Sequence, residues 1–143
     1  MEGLNARFEH FKKSLTRLHE ALDCYEKNID HEDLAIRRLI RDGLLQNYEF
    51  TIETLWKFLH AYLQEIYRAN LESMSALKTL KEAQRLGVIS ADEYNQVTQL
   101  IADRNETSHA YFELLAIEIV QRIPAHYAFM KTLLNRIQAK GEL

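Results

Sequence analysis

The sequence predicts an all-α fold, an antiparallel bundle of about five helices. Its 143 residues include only four glycines and one proline, 47% are hydrophobic and 27% are charged, which is typical of a folded, helix-rich protein. Apolar residues recur three and four positions apart over most of the chain, as one buried face of a helix requires. No segment shows the alternation of a half-buried strand. We expect a single domain, residues 1–143, because this length suits one hydrophobic core.

Long apolar stripes predict the first two helices. After the polar stretch NIDHED, in which Asp30 is a candidate N-cap, the second stripe runs between Ile36 and Ile66 for about nine turns. Gly43 lies inside this second helix, where glycine costs about 1 kcal/mol relative to alanine. We expect a bend there or, in preference, the close approach of another helix. The first stripe comprises Phe8, Phe11, Leu15, Leu18, Leu22 and Tyr25.

Two shorter helices follow. The third is predicted from about Ser73 and ends at Gly87, a natural C′ residue. The fourth opens with SADE at residues 90–93, which has the capping-box form of a serine followed three positions later by a glutamate. The residues of the third helix that should face the core are Leu77, Leu80 and Ala83.

A proline interrupts the apolar stripe of the last helix. Pro124 removes one backbone hydrogen bond and clashes with the preceding turn. We therefore expect a kinked last helix, or a break into two helices, between Val120 and Pro124. The stripe comprises Phe112, Leu115, Ile119, Ile123, Tyr127, Met130, Leu134 and Ile137.

Charge and composition narrow the classes of function. The net charge of −3 argues against strong non-specific affinity for nucleic acid. The lone Cys24 cannot form an internal disulfide or a cysteine metal motif, and we expect it at a core or boundary position. Because no apolar run approaches the roughly 20 residues of a membrane span and the N-terminus lacks a secretory signal, we expect a cytoplasmic protein. Local basic patches remain possible at Lys12, Lys13 and Arg17, and at Arg37, Arg38 and Arg41.

A polar cluster, RNETSHAYF at residues 104–112, differs from the helical pattern around it. Its Asn, Thr and Ser are poor helix formers, and it falls where the fourth helix should end. Histidine exchanges protons near neutrality, and arginine offers a permanent fork of donors that matches phosphate oxygens. Together they suit RNA cleavage without metal or cofactor: His109 moves the proton of the 2′-OH or of the leaving oxygen, while Arg104 stabilises charge at phosphorus. Use of the 2′-OH predicts activity on RNA and not on DNA.

The spacing leaves the geometry of this cluster open. In a straight helix Arg104 and His109 would point about 140° apart. Either the backbone breaks between them, or each meets groups from elsewhere, such as the same motif in a second subunit. A structural interpretation also remains, in which Arg104 answers the helix dipole and Asn105 and Ser108 act as caps. His109 and Tyr111 would then be half-buried packing residues.

Three segments resemble the HEPN superfamily, in particular its nucleotidyltransferase substrate-binding protein group. IRDGLLQNYEFTIETLWKFLHAYLQE, residues 40–65, is similar to the group's long-helix region. DRNETSHAYFE, residues 103–113, carries the superfamily's Arg-x4-6-His signature in the extended form Arg-x4-His-x-Tyr. SALKTLKEAQRLGVIS, residues 75–90, is similar to the third helix and the turn after it. The signature positions are filled by Arg104, His109 and Tyr111.

The resemblance implies a HEPN-like bundle, usually a homodimer, encoded beside a minimal nucleotidyltransferase. The two proteins would form a type VII-like toxin–antitoxin pair in which this chain is the metal-independent endoribonuclease. The dimer would bring two copies of the catalytic residues, Arg104 and His109, into one cleft. The partner would neutralise the toxin by transferring AMP from ATP onto Tyr111, where a bulky anionic group would block the cleft and repel RNA. Asn105 and Ser108 match positions that are commonly polar in the family and are assigned support roles.

A rival interpretation is a non-catalytic subunit that binds substrate for the nucleotidyltransferase, as the group's name suggests. The net negative charge favours this subunit, because a ribonuclease gains from positive steering. The intact signature favours the enzyme, because a scaffold has no need of all three residues. A plain helical adaptor would require the matched segments to be coincidence.

The remaining aromatic residues and histidines have weaker claims to function. We interpret Tyr48 and Trp56 as core or dimer contacts rather than as platforms for base stacking. His60 lies on the long helix, and the other histidines are expected at the surface. These others are His10, His19, His31 and His126.

Overall fold

The computed structural model describes residues 3–71 and 75–143, and these residues form an all-α bundle. The two ranges contain no strand. The predicted fold class is therefore confirmed. Their five α-helices are α1 (Leu4–Lys27), α2 (Leu34–Ile66), α3 (Ala76–Arg85), α4 (Tyr94–Glu106) and α5 (Glu113–Ala139).

An aromatic seam joins α1 and α2 as an antiparallel pair. Thr51 Oγ1 donates to the carbonyl oxygen of Ser14 at 3.3 Å, and further along α2 the Phe58 ring lies 5.2 Å from the ring of Phe8. From Thr51 to Phe58 the residue numbers increase along α2, while those of their partners on α1 decrease from Ser14 to Phe8, so the two helices are antiparallel. Phe58 also stacks on Tyr62 at 5.7 Å, and both rings are fully buried. Because burial of each large apolar side chain contributes about 2 to 3 kcal/mol, this seam is a main source of the stability of the bundle.

The C-terminal half of α5 is tied to the corner between α3 and α4. Arg136 donates to the two carboxylate oxygens of Glu93 at 2.8 and 2.7 Å, and to the carbonyl oxygen of Val88 at 3.0 Å. Hydrogen bonds from Arg136 lower the pKa of Glu93 to about 2. α5 also packs against α1, α2 and α4, so it closes the bundle.

The predicted helix ends are partly confirmed. The amide of Ser90 donates to Glu93 at 2.9 Å and the amide of Glu93 to the Ser90 hydroxyl at 3.2 Å, which is the predicted capping box. Gly87 has the positive φ of +80° that a C′ residue requires. The N-cap of α2 is Asp33, whose side chain accepts from the amide of Ala35, so the assignment to Asp30 is wrong. The NIDHED stretch stays outside the helix.

The start of α3 differs from the prediction in detail. Ser75 is its N-cap and accepts from the amide of Lys78, while the predicted start at Ser73 lies outside the described residues. Leu80 and Ala83 are buried as predicted. Leu77, in the first turn, is 42% exposed, so its predicted place in the core is wrong.

Other residues predicted in the core or at its boundary are exposed, among them Ile36 at the start of the second stripe, which is 39% exposed. Phe112 is 58% exposed because it precedes the first turn of α5, and the periodicity of the stripe does not extend to it. Cys24 is exposed because it lies two positions after Leu22, on the opposite side of α1 from the buried stripe. α5 continues through Pro124 as one helix, which excludes the alternative of two separate helices. Within the described ranges, no helix is long and apolar enough to cross a membrane.

Gly43 does not mark a close approach of helices within the chain. A Cβ atom built at Gly43 meets nothing within 4 Å. The preferred expectation for this glycine is therefore wrong, because the space beside it is open.

Replacement of Gly43 by alanine should stabilise the protein. Alanine is the better helix former, and with no neighbour to displace, Gly43→Ala should raise the free energy of unfolding by about 0.5 to 1 kcal/mol. Urea denaturation followed by circular dichroism measures the change. Gly87→Ala is the matched control and should destabilise, because Gly87 has a positive φ. A loss of stability in Gly43→Ala would mean that another molecule covers this glycine.

Candidate functional site

The backbone changes conformation inside the motif segment, defined as residues 104–112. α4 ends at Glu106, a single 3-10 turn spans Thr107–His109, and α5 begins at Glu113. The Thr107 hydroxyl donates to the carbonyl oxygen of Arg104 at 2.7 Å and so caps the end of α4. The backbone therefore leaves the α-helical conformation between Arg104 and His109, as the first of the two alternatives requires, while the second, a contribution from another subunit, stays a prediction. A straight helix through both residues does not form.

Arg104 is half-buried and paired with a glutamate of α2. Its Nη2 donates to Glu53 Oε1, and the other oxygen of Glu53 accepts from Trp56 Nε1 at 3.2 Å. Lys57 Nζ lies 3.8 Å from this second Glu53 oxygen. Glu53 therefore fixes the direction of the Arg104 guanidinium and balances part of its charge. Trp56 is half-buried rather than in the core, and its indole nitrogen supports this arrangement.

His109 and Tyr111 lie side by side on the surface. Their ring centroids are 6.3 Å apart at an interplanar angle of 63°, and the Tyr111 ring lies 4.5 Å from that of Phe112. Tyr111 is 74% exposed and His109 is exposed as well, so the interpretation of both as half-buried packing residues is wrong. In the described part of the chain, no hydrogen bond or ion pair joins Arg104 to His109. Within one chain, the His109 ring therefore lies beside the Tyr111 ring but makes no described hydrogen bond or ion pair with Arg104.

The two predicted support residues are exposed. The Ser108 hydroxyl lies 3.5 Å from the carbonyl oxygen of Asn105, a long and weak contact. No described contact links either side chain to His109 or to the Arg104 guanidinium. Their support roles stay predictions.

A buried network of polar side chains holds the end of α4, where the motif segment begins, against α5. Asp103, which directly precedes Arg104, is 2% exposed and accepts two hydrogen bonds from Arg122, at 2.8 and 2.7 Å. His126 Nε2 lies 2.7 Å from Asp103 Oδ2, and Gln99 donates to Oδ1 at 2.8 Å. The network therefore links the last turn of α4 to the middle of α5.

The assignment of His126 to the surface is wrong, because its ring is 1% exposed. Gln96 Nε2 lies 2.7 Å from its Nδ1, and the Tyr48 ring stacks on it with centroids 5.6 Å apart. The sequence did contain a signal for this residue. His126 follows Ile123 by three positions and precedes Met130 by four, which places it on the buried stripe of α5.

The hydrogen bonds of the network favour the ionised form of Asp103. Burial opposes ionisation of Asp103, but hydrogen bonds from His126, Arg122 and Gln99 outweigh it and lower the pKa of Asp103 to about 2. Burial, with the negative charge of Asp103 nearby, raises the pKa of Tyr48. The Tyr48 hydroxyl donates to the carbonyl oxygen of Leu100 at 2.7 Å, so Tyr48 is a core residue as predicted.

The other histidines are not part of this site. His10 and His19 are exposed, as predicted, and His31 is half-buried. His60 is buried on α2, and burial lowers its pKa. Within the described ranges, no group of three or more His, Cys, Asp or Glu side chains is placed to hold a metal ion.

A small acidic depression lies next to the 3-10 turn. It has a volume of about 170 Å³ and is lined by Thr107 and Ala110 together with Asp42 and Glu49 of α2. These carboxylates disfavour an anion at this side of the turn.

Replacement of Asp103 by asparagine should remove much of the acid sensitivity of the fold. The folded-state pKa of Asp103 lies below the ordinary value of 3.8, so its stabilisation is complete above about pH 4 and is lost as the pH falls towards 2. A pKa lowered by nearly two pH units corresponds to about 2 to 3 kcal/mol. Asp103→Asn should lower the free energy of unfolding at neutral pH by about this amount, measured by urea denaturation.

The dependence on pH separates this effect from a simple packing defect. Between pH 4 and 2 the stability of Asp103→Asn should fall less steeply than that of the wild type. The remaining slope comes from the other carboxylates of lowered pKa, such as Glu93 and Glu113. The exposed Asp92 offers a matched control, and Asp92→Asn should behave as the wild type. Parallel pH profiles for Asp103→Asn and the wild type would contradict the assigned charge state.

Comparison with known proteins identifies the family. A family model described as nucleotidyltransferase substrate binding protein like matches residues 6–139. A crystal structure of a protein from Thermus thermophilus is similar to this chain, with a TM-score of 0.65 and 29% sequence identity, over 83% of this chain and 97% of that chain. The curated proteins contain no significant match. Because the family model spans nearly the whole sequence, the chain belongs to the nucleotidyltransferase substrate-binding protein-like family, within the HEPN-like group.

Proposed function

We propose that this protein is a metal-independent endoribonuclease, the toxin of a pair whose antitoxin is a minimal nucleotidyltransferase. The observation that carries the proposal is the exposed pair of His109, at the end of the 3-10 turn, and Tyr111 just after it. The helix before this turn ends close to Arg104, which Glu53 holds in place. The family supports a nucleotidyltransferase as partner.

The proposed chemistry divides two tasks between two side chains. His109 is exposed, so a substrate can reach its ring nitrogens, and it removes the 2′-OH proton or protonates the leaving 5′ oxygen. Only Nη2 of Arg104 is bound to Glu53, which leaves other guanidinium donors to bind the phosphate as negative charge develops. The products are a 2′,3′-cyclic phosphate and a 5′-hydroxyl. Asn105 and Ser108 would contact the neighbouring phosphates.

A homodimer is part of the proposal, because Arg104 and His109 are not joined within one chain. A two-fold axis near the 3-10 turn would place each His109 opposite the Arg104 of the partner copy. The surface beside the turn suits such an interface, because large apolar side chains are exposed around it. These residues are Tyr111, Phe112 and Leu114, which are 74%, 58% and 80% exposed.

Tyr111 would be the site of neutralisation. In the proposed transfer, the Tyr111 oxygen attacks the α-phosphate of ATP and forms an O–P bond to AMP. The bond between the α- and β-phosphates breaks, pyrophosphate leaves, and the proton of the hydroxyl passes to solvent. The exposure of Tyr111 makes its hydroxyl accessible to the partner enzyme. The Tyr111 and His109 ring centroids are 6.3 Å apart, so AMP attached to Tyr111 would place a phosphate where RNA must bind.

A second candidate is the non-catalytic subunit that presents substrate to the nucleotidyltransferase. The Glu53–Arg104 pair and the acidic residues beside Thr107 favour it, because both weaken the attraction of the turn for RNA. The two candidates predict different outcomes for the same substitutions.

RNA cleavage by the purified protein in EDTA should depend on His109. Loss of the general acid and base should slow cleavage about a hundredfold or more in His109→Ala. Arg104→Ala should have a comparable effect, with circular dichroism confirming that both variants fold. Arg85→Ala is a matched control, because Arg85 pairs with Glu82 on the surface of α3. Absence of cleavage by dimeric, unmodified wild type would favour the substrate-binding subunit.

Replacement of Tyr111 by phenylalanine should separate modification from catalysis. Tyr111→Phe keeps the ring but removes the hydroxyl that would accept AMP. After co-expression with the nucleotidyltransferase, intact-mass spectrometry should find one or more added AMP units, about 329 Da each, on the wild type and none on Tyr111→Phe, which should still cleave RNA. The partly exposed Tyr94, on the first turn of α4, gives Tyr94→Phe as control. AMP on Tyr111→Phe would move the modification to another residue.

A further inference from the structure

A second cleft is lined by Glu113, the residue after the motif segment, and is separate from the depression beside Thr107. It has a volume of about 400 Å³ and is formed by the end of α1, the start of α2 and the first half of α5. Neither Arg104 nor His109 is among the described residues that line it. Its walls are mainly hydrocarbon, contributed by Leu22, Tyr25, Ile29, Leu34, Ile117 and Pro124.

Three arginines of α2 line the same cleft, and their charges are unevenly balanced. Arg38 Nε and Arg41 Nη1 share one carboxylate oxygen, Glu113 Oε1, at 3.4 and 3.3 Å. Arg41 also contacts Asp42 at 3.4 Å. Arg37 has no ion pair in the part of the chain that the structure describes, and its Nε is buried without a hydrogen-bond partner. Arg37 is therefore a half-buried cation with no counter-ion among the described residues.

The buried Nε of Arg37 lowers the stability of the fold unless a hydrogen-bond acceptor reaches it. A buried donor without a partner lowers stability, and a guanidinium binds carboxylate or phosphate through two parallel hydrogen bonds. The second acidic residue in the lining, Glu26, is exposed and does not pair with Arg37. An anion that enters the cleft would supply the acceptor that the described part of the chain does not provide.

The apolar walls of the cleft indicate the chemistry of the part of the ligand that does not contact Arg37. Contact between an apolar ligand body and the hydrocarbon walls is favourable because it removes apolar surface from water. Sugar hydroxyls or other polar groups would find no hydrogen-bond partners on these walls. Ile29, Leu34 and Ile117 are 54%, 44% and 38% exposed at the cleft, so an apolar ligand would cover surface that is now in water.

We propose that this cleft binds an amphipathic organic anion, with its hydrocarbon body against the apolar walls and its phosphate or carboxylate head on Arg37. Arg38 and Arg41 are paired with Glu113, so the three arginines of the lining exceed its two glutamates, Glu26 and Glu113, by one positive charge. The inference does not depend on the proposed ribonuclease, because the cleft excludes the residues proposed for catalysis.

Calorimetric titration of the full-length protein tests this site with three probes of the same chain length. Decyl phosphate and decanoate carry the two head groups, and decanol is neutral, all used below their micelle-forming concentrations. The wild type should bind at least one anion more tightly than decanol, and the tighter of the two anions identifies the head group. Arg37→Gln should weaken anion binding about tenfold or more and leave decanol binding unchanged.

Two further variants keep the test decisive. Arg85→Gln removes an arginine outside the cleft and should bind all three probes as the wild type does. Ile117→Glu adds a negative charge at the cleft wall and should weaken anion binding more than decanol binding, which provides the test if Arg37→Gln fails to fold. The proposal is overturned if the wild type binds no anion or prefers decanol. It is equally overturned if Arg37→Gln binds anions as the wild type does, or if Arg85→Gln loses as much affinity.

Discussion

The ionised carboxylate of Asp103 is the interaction on which the position of the motif segment depends. A carboxylate that is 2% exposed is stable only with its donors in place, and two of the residues that hold it, Arg122 and His126, lie on α5. α5 therefore has one favourable register against α4 at this level. Since the chain between the two helices contains only the short turn and a few further residues, the path of the motif segment follows from this one contact.

The residue after Asp103 is held from the opposite side. Arg104 pairs with Glu53 of α2, so the last turn of α4 is fixed between two helices. The 3-10 turn that follows has no buried residue, and the side chains of His109 and Tyr111 are exposed on it or directly after it. This arrangement combines a rigid base with an accessible surface. A site that positions an acid–base group or receives a modification needs both properties.

Sequence periodicity predicted the core well and the polar contacts poorly. Apolar stripes identify which faces are buried because burial repeats every three to four residues, and the capping box is a local pattern that needs no tertiary information. Glu53 carries no comparable signal, since its partner Arg104 is 51 positions away. Gly43 illustrates the same limit: the residue is visible in the sequence, but the empty space beside it depends on where the other helices lie. His126 was predictable in principle, because it occupies a stripe position.

Local charge, rather than the net charge of −3, decides where an anion can bind. The first half of α2 carries both signs. Arg37 and Arg41 line the apolar cleft, whereas Asp42 and Glu49 line the depression next to Thr107. In one chain, an anion is therefore attracted to the cleft and disfavoured beside the motif segment. In the proposed ribonuclease, the Arg104 of a second subunit would bring positive charge to His109, which links the proposed chemistry to the proposed dimer. The cleft needs only the arginines of its own chain.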